Sequence, residues 1–150
     1  MTRIFISVLA DFPLNTLKIR LYDGSYHDVD SDALSFELCA KIAFKSAVKQ
    51  AGPELLEPIM RLDVVTPEIN MGDIIGDLNR RRGQIDGMED KAGSKLVKAR
   101  IPLSEMFGYV TDLRTMSSGR ATSTMEFDSF ETAPKNISEA VIAETTGVQQ

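Results

Sequence analysis

The side chains that most often do chemistry are scarce in this chain, which holds one histidine, His27, and one cysteine, Cys39. They lie far apart, His27 in a polar Ser25-Tyr26-His27-Asp28 loop and Cys39 in an apolar helical stretch, so they do not make a zinc site. Asp28, Asp30 and Asp32 alternate as D-x-D-x-D, a spacing that could present carboxylates to calcium. Neither the glycine nor the distal glutamate of an EF-hand loop follows, and a helix cap at Asp30 or Ser31 explains the same residues. A Ser–His–Asp reading of His27 lacks a nucleophile elbow. No G-x-x-x-x-G-K-S/T loop is present to cradle a phosphate. Gly72 and Gly76 fall inside a helical pattern, where close backbone packing explains them better than a ligand. Cys39 reads as a small buried side chain. Catalysis by this chain alone is not expected.

Charge offers a different chemistry. The formal net charge is −5, which taken whole argues against a nucleic-acid partner. Between Arg80 and Arg120, however, nine Lys/Arg stand against five Asp/Glu, a local +4, while the rest carries eight against seventeen, or −9. This basic stretch is either a footprint for a polyanion or an ordinary fluctuation of surface charge.

The elements that must position these residues announce themselves by a repeat. Pro67, Met71, Asp77 and Leu78 recur as Pro102, Met106, Asp112 and Leu113, each at an offset of 35. A repeated strand–helix–glycine–strand unit marks a split βαβ domain, with an open sheet face and two helices on the other face. The first strand is Ile59–Val65, with Pro58 as a domain boundary. The first helix runs from about Asn70 to Arg82, turns Met71, Ile74, Ile75 and Leu78 inward, and stops at Gly83. Gln84–Met88 and Lys95–Ile101 form a hairpin around Glu89–Ser94. Ser104 caps a second helix that buries Met106, Tyr109, Val110 and Leu113, and Arg120–Phe130 is the last strand. A short helix begins at Asn136, and Thr145–Gln150 should fray.

Upstream, Leu17, Ile19 and Leu21 alternate with polar residues as a half-buried strand, closed by Asp23-Gly24. An apolar helix then carries Leu34, Phe36, Leu38, Ala40, Ile42 and Phe44 and ends at Gly52-Pro53. One strand and part of another do not cover both sides of that helix, so upstream chain or a partner must supply the rest. Left bare, the helix should promote self-association.

The 150 residues are 43% hydrophobic and 26% charged, which suits a soluble chain with its own core. A single cysteine excludes an internal disulfide and fits a reducing compartment. No apolar run approaches the ~18 residues of a membrane span, and no signal peptide opens the chain. A cytoplasmic location and no membrane partner are expected.

Three long motifs in order resemble bacterial translation elongation factor G: Leu56-Glu57-Pro58-Ile59-Met60, Asn70–Gly83 and Pro102–Tyr109, with Gly24–Ser31 matching upstream. The resemblance runs from about Val8 to Ala143, and Met1–Ile6 depart from it. It implies an α+β fold in which a ferredoxin-like split βαβ domain follows an incomplete segment like the second domain of ribosomal protein S5. By that correspondence residues 1–57 are the incomplete fourth domain, 58–135 the fifth domain, and 136–150 a C-terminal helix and tail. The family is a GTPase that drives tRNA and mRNA translocation on the ribosome. Its nucleotide-binding domain, with GTP and magnesium, lies upstream and is absent here, so no cofactor and no enzymatic activity are expected of this chain.

The same resemblance assigns partners. His27 matches a histidine at the tip of the fourth domain beside the A-site tRNA and mRNA, where an imidazole can donate to phosphate or 2′-hydroxyl. Arg114, Thr115 and Ser118 match a turn that touches the sarcin–ricin loop of large-subunit rRNA, and Arg120 closes that turn. Guanidinium groups fork onto phosphates there, and hydroxyls bond RNA edges or sugar. Arg80, Arg81 and Arg82 match a helix end facing the ribosomal stalk base, although cations at a helix C-terminus also simply oppose its dipole. Two alternatives stand beside this reading. One is the C-terminal part of a ribosome-protection protein or GTPase-defective paralogue. The other is a stand-alone ferredoxin-like module for small-ligand or metal regulation.

Overall fold

The computed structural model describes residues 12–14 and 17–146; the expectations for Met1–Ile6 and for the tail beyond Thr146 lie outside them. Elements follow in the order α1 (Ala33–Gln50), β1 (Leu56–Thr66), α2 (Glu68–Arg80), β2 (Gln84–Lys91), β3 (Ser94–Pro102), a 3-10 turn (Leu103–Met106), α3 (Tyr109–Ser117), β4 (Thr122–Thr132) and α4 (Lys135–Thr146). They fall into two compact units, Leu56–Thr132 and the remainder.

The unit from Leu56 to Thr132 is a ferredoxin-like β-α-β-β-α-β arrangement. Its four strands are ordered β2-β3-β1-β4, and every neighbouring pair is antiparallel. Period-two alternation sends Leu62 and Val64 of β1, with Val97, Ala99 and Ile101 of β3, to one face. There they bury against Ile74 and Leu78 of α2 and Tyr109 and Leu113 of α3. Met71, Ile75 and Met106 pack partly against the same core. Burying each large apolar side chain is worth about 1.5–3 kcal/mol, and this shared layer carries the unit. The opposite face is polar: Arg61 and Asp63 stand opposite Arg100 and Lys98 on β3, and opposite Glu126 and Thr124 on β4.

The 35-residue repeat has a physical meaning at each position. Pro67 and Pro102 both stand at the junction where a strand gives way to a helical turn. Leu78 and Leu113 are both core. The copies differ in between, because Gly108 adopts φ 76° and interrupts the second helix. Ser104 therefore caps nothing: Leu103–Met106 is a separate 3-10 turn without a side-chain cap, and α3 starts afresh at Tyr109. Val110, expected in the core, is 52% exposed because this restart turns it outward.

Three other expectations shift. Pro58 lies inside β1, opposite Phe130 of β4 and one residue beyond the last β3 partner, where a missing N–H breaks no inner ladder. The hairpin is tighter than expected, with Ala92 (φ 42°) and Gly93 (φ 86°) making the two-residue turn. At the end of α2 the left-handed residue is Arg82 (φ 63°), while the Gly83 N–H bonds Leu78 O at 2.8 Å. Glycine is needed there for approach, since a Cβ would sit 2.7 Å from that oxygen.

In the other unit, α1 forms with Asp32 as its cap, accepting the Ser35 N–H at 2.7 Å, in place of Asp30 or Ser31. None of its residues is buried; Leu34, Phe36, Leu38 and Ile42 are all about half exposed or more. Cys39 is consequently exposed rather than buried. Leu17–Tyr22 is exposed and pairs with no strand among the described residues, unlike the half-buried strand of the pattern. A strand without a neighbour has nowhere to place its ladder bonds, and alternation alone cannot supply one.

Candidate nucleic-acid interface

The end of α3 is a turn whose N–H groups and last helical carbonyls are all engaged. The last four carbonyls of a helix have no intrahelical partner and must find one elsewhere. Arg114 O accepts the Gly119 N–H at 2.9 Å, and Thr115 O accepts the Ser118 N–H at 3.4 Å. Met116 O accepts the side-chain amide of Asn70 on α2 at 3.0 Å. Ser117 O accepts both the Arg120 N–H at 3.0 Å and the Arg120 Nε–H at 3.3 Å. The Ala121 N–H, next along, bonds Ser117 Oγ at 3.1 Å. Ser118 (φ 50°) and Gly119 (φ 75°) both lie in the left-handed region and reverse the chain. With every turn N–H bonded internally, an anion arriving here meets side chains, not a backbone nest.

Those side chains are the sequence-expected set. Arg114, Thr115, Ser118 and Arg120 all lie on this turn and all are exposed. The Thr115 hydroxyl donates to Thr111 O at 3.1 Å, which leaves its oxygen as an acceptor. Ion pairing shows where positive charge is free. Of the nine cations between Arg80 and Arg120, six are paired: Arg80, Arg81, Arg82, Lys95, Lys98 and Arg100. Among the described residues, Lys91, Arg114 and Arg120 have no carboxylate partner, and two of these three flank the turn. Most of the basic stretch neutralises itself. Its unbalanced charge concentrates at the end of α3, where the helix dipole also favours cations.

The three arginines ending α2 do different work. Arg81 is 12% exposed at its side chain and points inward. It donates to Asp77 Oδ2 at 2.8 Å, Glu105 O at 2.7 Å and Phe107 O at 3.4 Å, and it also pairs with Asp112. Its Cζ lies 5.4 Å from the centroid of Tyr109. Burial raises the Tyr109 phenol pKa above its ordinary range, with Asp77 adding to the rise and Arg81 opposing it. The repeat explains the clamp, because Asp77 and Asp112, 35 residues apart, hold the same guanidinium from two helices. Arg82 forks onto Glu57, which raises its pKa against the cost of burial. Only Arg80, paired to Asp77 yet 75% exposed, presents most of its surface to solvent.

His27 belongs to the other unit, in an exposed turn closed by a reciprocal pair of bonds. Its N–H donates to Ser31 Oγ at 2.9 Å, and its carbonyl accepts the Ser31 N–H at 3.0 Å. Among the described residues no hydrogen bond or ion pair engages its imidazole. No group of three or more His, Cys, Asp or Glu able to hold a metal occurs among the described residues.

Sequence reading passed over Ser117, Asn70 and the burial of Asp77. A serine at the last position of an apolar-faced helix looks unremarkable, as does an asparagine in a first turn. For Asp77 the signal was present in its repetition as Asp112.

Comparison with known proteins matches this architecture. The family model described as elongation factor G C-terminus matches residues 54–141, and that described as elongation factor G, domain IV matches residues 8–52. Elongation factor G of Cytophaga hutchinsonii is 56% identical over 140 residues, covering 93% of this chain and 20% of that protein. A crystal structure of a Thermus thermophilus protein superposes with a TM-score of 0.71 at 38% identity, covering 85% of this chain and 19% of that one. The chain thus spans about a fifth of the length of the proteins it matches. A four-stranded ferredoxin-like unit carrying these motifs, together with both family matches, shows that the chain belongs to the elongation factor G family, as a portion of a translation elongation factor.

Proposed function

We propose that this chain is the ribosome-binding C-terminal portion of an elongation factor G and does no chemistry itself. It contributes to tRNA and mRNA translocation in a full-length GTPase whose GTP and magnesium are held by a domain upstream. Residues 1–57 act as part of the fourth domain and 58–135 as the fifth, with 136–150 a helical tail, in the cytoplasm. The carrying observation is the turn after α3, where Arg114 and Arg120 lack carboxylate partners among the described residues while six other cations of the basic stretch are paired. Two guanidinium groups without an ion-pair partner among the described residues, on a turn whose N–H groups are all bonded, beside the Ser118 hydroxyl and the Thr115 oxygen, suit RNA phosphate and sugar, here the sarcin–ricin loop. His27 reaches the A-site tRNA and mRNA, and of the three arginines ending α2 it is Arg80, paired to Asp77 but mostly exposed, that meets the stalk base.

The polar sheet face argues against a stand-alone ligand module. Its central paired positions carry Arg61, Asp63, Lys98, Arg100, Thr124 and Glu126, with no ring to stack a base or planar ligand. Pelleting with 70S ribosomes at low and high salt tests the proposal. Arg114→Glu with Arg120→Glu should weaken binding at least tenfold and reduce the salt slope by about two, leaving the fold intact. Unchanged affinity would remove the RNA assignment.

A further inference from the structure

We infer that Ser117 is the positioning residue of this interface, the buried group that aims the Arg120 guanidinium; the inference rests on the RNA-contact reading above. Ser117 is 0% exposed, so it touches no partner itself. Its hydroxyl donates to Leu113 O at 2.6 Å, one turn back on α3, and accepts the Ala121 N–H at 3.1 Å, just past the turn. One oxygen therefore ties the helix to the residue that leads into β4. Its carbonyl then takes both the backbone N–H and the Nε–H of Arg120. Four hydrogen bonds from one residue span everything from Leu113 to Ala121.

The consequence for recognition is geometric. A guanidinium can present two forked edges, one using Nε with a terminal nitrogen and one using both terminal nitrogens. At Arg120 the Nε is held by Ser117 O, which leaves the edge with both terminal nitrogens for a phosphate. Arg114, whose guanidinium has no bond among the described residues, keeps both edges. The pair thus divides into an aimed cation and a free one. Asn70 adds a second strap by fixing Met116 O, adjacent to Ser117.

The test is a double-mutant cycle on the full chain, with purified 50S subunits as the probe. Ser117→Ala should weaken binding about three- to tenfold in the parent and have no further effect in Arg120→Ala. Ser117→Thr, which keeps the hydroxyl, should retain most of the affinity. An effect of equal size in both backgrounds, or none in the parent, overturns the inference while leaving the RNA reading in place. If Arg120→Ala itself leaves affinity unchanged, both fall. A second measurement needs no variant: by NMR, the Arg120 Nε–H should exchange with solvent more slowly than the Arg114 Nε–H. Equal rates in the native chain would refute the aiming bond even if Ser117→Ala failed to fold.

Discussion

Replacing Arg81 with methionine should destabilise the Leu56–Thr132 unit by about 3 kcal/mol, and the reasoning can be followed bond by bond. The pair with Asp112 counts for little, because that carboxylate is 51% exposed and screened. The Phe107 bond is long at 3.4 Å and is also minor. What remains is Asp77, whose side chain is 2% exposed, and the Glu105 carbonyl at 2.7 Å. Removing one partner of a buried ion pair costs about 3–5 kcal/mol, since the other charge is stranded. Asp77 would keep Arg80, itself 75% exposed, which places the loss at the low end of that range. Asp77→Leu with Arg81→Met removes the stranded charge and should cost less than the single change, about 1–2 kcal/mol. Urea unfolding followed by circular dichroism measures both, provided the slope stays constant across the variants. A loss below about 1 kcal/mol for Arg81→Met, or a double variant less stable than the single, would refute the clamp. Arg81 would then be available to a partner after all.

Two more expectations concern the unit that holds α1. Hydrogen bonds from Ser35 lower the Asp32 pKa below its ordinary 3.8, so the cap stabilises α1 above the unfolded carboxylate pKa and is lost as pH falls through the folded value. Helical ellipticity should therefore be flat near neutrality and drop below about pH 4 in the native chain, and Asp32→Ala should remove that acid step. The exposed stripe of Leu34, Leu38 and Ile42 should drive self-association, which Leu38→Glu with Ile42→Glu should suppress in sedimentation velocity. A monomeric native chain at high concentration would contradict this.

The βαββαβ scaffold was legible because apolar period and repetition both pointed to it. Leu62 and Val64 alternate, Ile74 and Leu78 are four apart, and Leu78 recurs as Leu113. What the pattern missed depended on conformations that leave little trace in residue type. Gly108 in the left-handed region split a helix that periodicity ran through Ser104. Arg82 takes the left-handed position at the helix end, and only the proximity of Leu78 O shows why the stop at Gly83 is glycine. The candidate turn was found through resemblance, not chemistry, since Arg114, Thr115, Ser118 and Arg120 look like any exposed helix end. The reason it differs from the other arginines is largely long-range: Glu57 pairs with Arg82 across 25 residues and Asp112 with Arg81 across 31, and neither reaches Arg114. Pairing across a fold is not written in local composition.

Chemical footprinting of 50S subunits bearing this chain tests the central claim most directly. The account predicts protection of the sarcin–ricin loop that disappears with Arg114→Glu and Arg120→Glu and fades as salt rises. Protection that persists in the charge-reversed protein, or an unprotected sarcin–ricin loop at saturating native chain, would contradict it.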